Sequence, residues 1–196
     1  MNFPFSGAVL SWSHQGRVLV IDVHPESGPP LTPDGPLVEW EALARYLSEG
    51  ADGARALVVC GDHGIDAGLC WSSLSGQVDT AWSGLPGFVS RRGAAGDMSQ
   101  LIGRVTAVWQ AIARFEGPTL AVVSGACVRG GFEVVAAVDE VVAERRPGLD
   151  ERLRMAGVHV DRWVDPGEGR SAVFGRIGVV PPASRHRGGA SRHRVR

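Results

Sequence analysis

The residues best placed to do chemistry lie in the stretch SGACVRGGFEVVAAVD, Ser124 to Asp139. Gly130 and Gly131 stand side by side at the entrance of an apolar helix, and Glu133 follows in its first turn. A helix start free of side chains presents unpaired backbone N–H groups, which together with the helix dipole stabilise negative charge on an oxygen. Set against a thioester carbonyl, such a turn is half of an oxyanion hole. The other half is expected from a second glycine-bearing turn, Ala67-Gly68-Leu69. Glu133 would then lie beside the polarised group as an acid or base. The competing reading is a solvated acid in a helix's first turn, where acids are favoured in any case.

Other uses of these glycines recede. Gly125 and Gly130 have the spacing of a phosphate-binding loop, but that loop needs a lysine directly after its second glycine. Gly131 stands there, and all 20 basic residues of the chain are arginines. Neither a Gly-x-Gly-x-x-Gly fingerprint nor a Gly-x-Ser-x-Gly elbow occurs. Cys60 and His63 have no second ligand pair to complete a metal site, so no metal is expected. Asp66 reads as a turn-forming residue and Asp139 as a structural one, capping or pairing within the fold.

The elements that must hold these turns follow from periodicity. Residues 7–13 and 17–23 read as strands joined around Gln15-Gly16. Apolar residues at 37, 40, 43, 44 and 47 form a helical stripe, with Gly50 as its C-cap. ARALVVC, residues 54–60, is an apolar run of strand length, and 61–68 is glycine-bearing loop. Residues 75–96 read as a flexible Gly/Ser-rich excursion. Leu101, Val105, Val108, Ile112 and Phe115 then mark a helix that Gly117-Pro118 ends. Strand 119–123, helix 131–138 and strand 140–143 follow. Trp40, Trp109 and Val105, at helical spacing in their segments, read as core. This alternation predicts an α/β fold with a mostly parallel sheet, whose ligand site lies beyond the carboxyl ends of the strands.

Beyond about residue 157 the pattern dissolves, which divides the chain into a core domain, 1–157, and an irregular Arg/His-rich tail, 158–196. Residues 1–144 hold 8 Arg against 16 acids, and 145–196 hold 12 Arg against 5, so an acidic body precedes a basic tail. The tail from Arg185 carries no aromatic residue on which bases would stack, and no nucleic-acid partner is expected. No apolar run reaches the roughly 20 residues that span a bilayer. Three cysteines in apolar or glycine-rich surroundings suit a reducing cytoplasm.

The central motif, SGACVRGGFEVVAAVDEVVA, resembles the signature of the crotonase (enoyl-CoA hydratase/isomerase) superfamily. RALVVCGDHGIDAGLCWSSL and RVLVIDVHPE are similar to that family's first oxyanion segment and opening strand, in the right order over roughly residues 8–157. The resemblance implies a core of ββα repeats and an acyl-CoA thioester substrate that brings its own CoA, with no separate cofactor. Its oxyanion donors would be the backbone N–H groups of Leu69 and Gly130, with Ala67, Gly68 and Gly131 against the substrate. Glu133 matches the carboxylate that activates water, and Glu151 in PGLDERL stands where the family places a second one. Asp150, Arg152 and Arg154 equally suit Glu151 to a solvated helix face. The departures are Arg129 for the first glycine of the cluster, Leu69-Cys70 for Ala-Asp, and no Asn-Ala-Leu segment in HPESGPPLTPDG. The family's C-terminal helical region is missing or replaced by the basic, disordered tail. A truncated or divergent member is implied. It would hydrate or isomerise an enoyl group, as a homotrimer or with a larger partner. The alternative is a weak or inactive accessory subunit of a polyketide-type or secondary-metabolite pathway.

Overall fold

The computed structural model describes residues 4–24, 35–61, 64–66, 91–128 and 131–177. Two strands, β1 (Phe5–Ser6) and β2 (Leu10–Gln15), lead to β3 (Val18–Val23), α1 (Gly35–Ser48), β4 (Ala56–Gly61) and β5 (Gly64–Asp66). Then come α2 (Arg91–Ala113), β6 (Thr119–Val123), β7 (Ala126–Val128), α3 (Gly131–Ala136) and β8 (Glu140–Glu144). The described part closes with α4 (Leu149–Met155), β9 (Arg162–Val164) and α5 (Gly169–Ile177).

Seven strands form one sheet in the order β1-β2-β3-β4-β6-β8-β9, antiparallel as far as β3 and parallel from there on. The β2–β3 hairpin turns on Gly16, whose φ of 63° suits the two-residue loop between Gln15 and Val18. Strand alternation divides the core. Leu19, Ile21, Leu57, Val59, Ala121, Val123, Val141 and Ala143 point to one face, where they meet α1, α2, α3 and α4. Val20, Val58, Cys60, Val122, Val142 and Val164 point to the other, where Val173 and Phe174 of α5 cover them. Strands buried on both faces read as continuous apolar runs, which is why VLVIDV, ALVVCG and TLAVV lack a polar alternation.

Helix α1 buries Leu37, Trp40, Leu43 and Leu47, each removal from water stabilising by about 2 kcal/mol. Trp40, fully buried in the core, meets the half-buried Trp109 of α2 edge to face at 5.4 Å. Glu39 accepts hydrogen bonds from the backbone N–H groups of Ala8, Val9 and Leu10 at 2.7, 2.9 and 3.0 Å, which ties the start of β2 to α1. The chain leaves α1 through Gly50 at φ 95°. Gly117 lies so close to the Arg55 carbonyl that a Cβ there would overlap it.

The structure corrects three expectations. Helix α2 begins at Arg91, so residues 91–96 are helical; residues 75–90 lie outside the described residues. Their small residues show no apolar stripe, yet extending a helix already nucleated on packed turns is cheap. The glycine segments after β4 and β6 open as short strands, β5 and β7. The domain boundary at 157 also moves. Strand β9 pairs with β8 beyond it, and α5 follows, so regular elements run on to Ile177; residues 178–196 lie outside the described residues. A strand of three residues and a helix whose described buried apolar residues are the adjacent Val173 and Phe174 leave no periodic signal.

Candidate active site

The strands that open the two glycine-rich segments form a sheet of their own. β5 and β7 pair in parallel, with Gly64 opposite Ala126, Ile65 opposite Cys127 and Asp66 opposite Val128. Parallel neighbours lie roughly 4.8 Å apart. Both strands also end level, at Asp66 and Val128. Ala67, Gly68, Leu69 and Gly130, the expected donors and substrate contacts, lie outside the described residues. What anchors them is described: Ile65 is fully buried, and α3 packs on both β5 and β7.

Gly131 opens α3 and is buried, as are Val134 and Val135. Positions i, i+3 and i+4 share one helix face, so this face seats the helix. Glu133 and Ala136 occupy the opposite, exposed side. Glu151 is likewise exposed: Leu149 and Leu153 bury the inner face of α4, leaving Asp150, Glu151, Arg152 and Arg154 outside. Among the described residues no hydrogen bond or ion pair joins Glu133 and Glu151 to each other or holds either one. Asp139 is structural. Its Oδ2 accepts from the Thr119 N–H and hydroxyl, each at 2.9 Å, and its own N–H donates to Thr119 Oγ1 at 2.8 Å.

Two cavities outside this region have definite linings. One of about 570 Å³ lies between α1 and α2, where Arg104 grips Glu41 at 2.7 and 2.9 Å and holds that carboxyl below its usual range. The second, about 450 Å³, is lined by Arg145, Arg146, Asp150 and Trp163. Neither includes Glu133.

A set of buried and half-buried polar residues, of which sequence reasoning weighed only Cys60, lies at the carboxyl ends of β3, β4 and β8. Glu144, 3% exposed, accepts from the Gly167 and Gly169 N–H groups at 3.0 and 3.2 Å and from Arg146 Nη2 at 2.9 Å. Asp22 and Cys60, cross-strand neighbours, both meet Arg170 of α5. In the sequence, Asp22 is the single acid of its apolar strand and Glu144 follows the apolar run Val141-Val142-Ala143, the one signal that could have marked them.

No family model matches the sequence, and no curated protein matches it. Solved structures do. The Pseudomonas aeruginosa protein DspI is 18% identical, with 89% of this chain and 75% of that one covered at a TM-score of 0.57. An enoyl-CoA hydratase from Mycobacterium smegmatis is 18% identical over 87% of this chain and 75% of its own, also at 0.57. An enoyl-CoA hydratase/carnitine racemase from Magnetospirillum magneticum is 15% identical over 90% and 75%, again at 0.57. Among the described residues no helix is long and apolar enough to cross a membrane. The order of elements, the paired strands under the glycine turns and these likenesses agree: this chain has the fold of the crotonase (enoyl-CoA hydratase/isomerase) superfamily.

Proposed function

We propose that the chain acts on acyl-CoA thioesters and hydrates or isomerises an enoyl group. The observation that carries this reading is the level, parallel pairing of β5 with β7. It supports a site in which the N–H groups of Leu69 and Gly130 donate to one thioester oxygen, with Ala67, Gly68 and Gly131 against the acyl chain. These donors stabilise the enolate, an effect worth about 100- to 1,000-fold in rate for a single donor. In hydration, Glu133 takes a proton from water as the oxygen adds to the β-carbon, and a proton is delivered to the α-carbon, with Glu151 as second carboxylate. The exposed side of α3 leaves Glu133 open to a ligand.

The test is calorimetric binding of crotonyl-CoA followed by turnover. Glu133→Gln is expected to bind within a few-fold of the parent and to lose kcat by about 100- to 10,000-fold. Unchanged turnover sinks the role of Glu133, and no thioester binding sinks the whole reading.

The exposure of both carboxylates favours a second reading, an accessory subunit beside a larger enzyme of a polyketide-type or secondary-metabolite pathway. Thioester binding without turnover, together with co-purification of a partner enzyme, would select it.

A further inference from the structure

The second face of the sheet carries a group of reactive and charged side chains that the proposed chemistry does not use. Asp22 is the one acid in the apolar strand β3, and Cys60 sits directly opposite it on β4. The Cys60 thiol donates to Asp22 Oδ1 at 3.3 Å and to the Ile21 carbonyl at 3.6 Å. Arg170, in the first turn of α5, reaches across from a position 148 residues further along the chain, and its Nη2 donates to Asp22 Oδ1 and, at 3.0 Å, to Cys60 Sγ. Cys60 is fully buried, whereas the Arg170 and Asp22 side chains are 15% and 17% exposed. The thiol is therefore one layer deep, and the ion pair forms part of that layer.

Helix α5 is fastened at two points of this first turn. Glu144 accepts from the Gly167 and Gly169 N–H groups on the β8 side, and Arg170 engages β3 and β4 on the other. Among the helix residues whose burial is described, the buried apolar ones are Val173 and Phe174. An element with few buried contacts and ionic ties opens locally at lower cost than the central strands beneath it.

We propose that Asp22, Cys60 and Arg170 form a thiol-sensitive latch: the ion pair holds α5 down and shields Cys60, and modification of Cys60 by a soft electrophile holds α5 open. With iodoacetamide as probe, a sulfur–carbon bond forms, the carbon–iodine bond breaks, iodide leaves and the thiol proton passes to solvent. The added group has no room at a fully buried sulfur under Arg170.

The experiment uses the full chain. Carbamidomethylation at Cys60 is timed by fragmentation mass spectrometry, and amide hydrogen exchange is followed in α5 and in β3, β4 and β6. Arg170→Ala is expected to speed labelling at Cys60 at least tenfold, with faster exchange confined to α5. Asp22→Asn, which keeps the side chain's shape and removes its charge, is expected to act in the same direction. Wild-type protein, once labelled, is expected to show α5 exchanging at least tenfold faster with the central strands unchanged. Equal labelling of parent and Arg170→Ala overturns the latch. So does faster labelling that comes only with exchange throughout β3, β4 and β6, or failure of both variants to fold, since the pair would then belong to global stability.

Discussion

Replacing Phe174 by Ala tests whether the folded unit runs past residue 157. Phe174 is 0% exposed and lies among Val20, Val58, Val122, Val142, Val164 and Val173 on the second face of the sheet. Removing a buried aromatic ring costs about 3–5 kcal/mol, the transfer of the ring plus the cavity it leaves. Here the lower end is expected, because one short helix can settle toward the valines more readily than a sheet wedged on both sides. A loss of about 3 kcal/mol is a large part of the 5–15 kcal/mol typical of a domain, and in one of this length it lowers Tm by about 6–12 °C. Urea unfolding followed by tryptophan fluorescence measures it. Met155→Ala is the control: that side chain is 77% exposed, so its change should stay within about 0.5 kcal/mol. If Phe174→Ala costs under about 1 kcal/mol, α5 is not packed as described, and the folded unit ends where hydrophobic periodicity fades.

Tyr46, the chain's one tyrosine, donates to Asp52 Oδ2 at 3.2 Å, and burial, then Asp52, pushes its pKa up to about 12. The fold therefore favours the neutral phenol, and the stability it lends below about pH 10 is lost as pH rises through 12. Tyrosinate absorbance should show that midpoint, and Asp52→Asn should bring it down toward 10; a midpoint that ignores the substitution refutes the assignment. Glu39→Gln leaves three backbone N–H groups with one neutral acceptor, and should cost about 1–3 kcal/mol in urea unfolding; a cost under about 0.5 kcal/mol would show that the tie to β2 is dispensable. Gly117→Ala forces a Cβ against the Arg55 carbonyl and should destabilise by about 1–3 kcal/mol, with no loss counting against that close approach.

The parts of the fold that were legible in the sequence are those that bury many apolar residues in a row. VLVIDV, ALVVCG and TLAVV announce strands because both their faces are covered, and Val105, Val108 and Ile112 announce α2 because one face is. The glycine turn before Glu133 was legible for a different reason, since two adjacent glycines at a helix start have few structural uses. Strands β5, β7 and β9 stayed hidden at three residues each, too short for a period of two to repeat. Arg170 was hidden as well: its partners lie 148 and 110 residues away, and only the packing of α5 brings them near.

The same division bears on where activity can be gained or lost. The main sheet draws its stability from seven strands and two packed faces. The turns depend on much less, namely two three-residue strands and the buried side of a six-residue helix. A few substitutions there would abolish the proposed thioester chemistry at little cost to the main sheet. Fold likeness and thermal stability therefore cannot separate an active enzyme from a binding subunit. A variant at Ile65, whose buried side chain anchors β5, can: Ile65→Ala should weaken crotonyl-CoA binding at least tenfold in protein still folded at the assay temperature. Binding that ignores this loosening would place the thioester, if it binds at all, away from the β5–β7 turns.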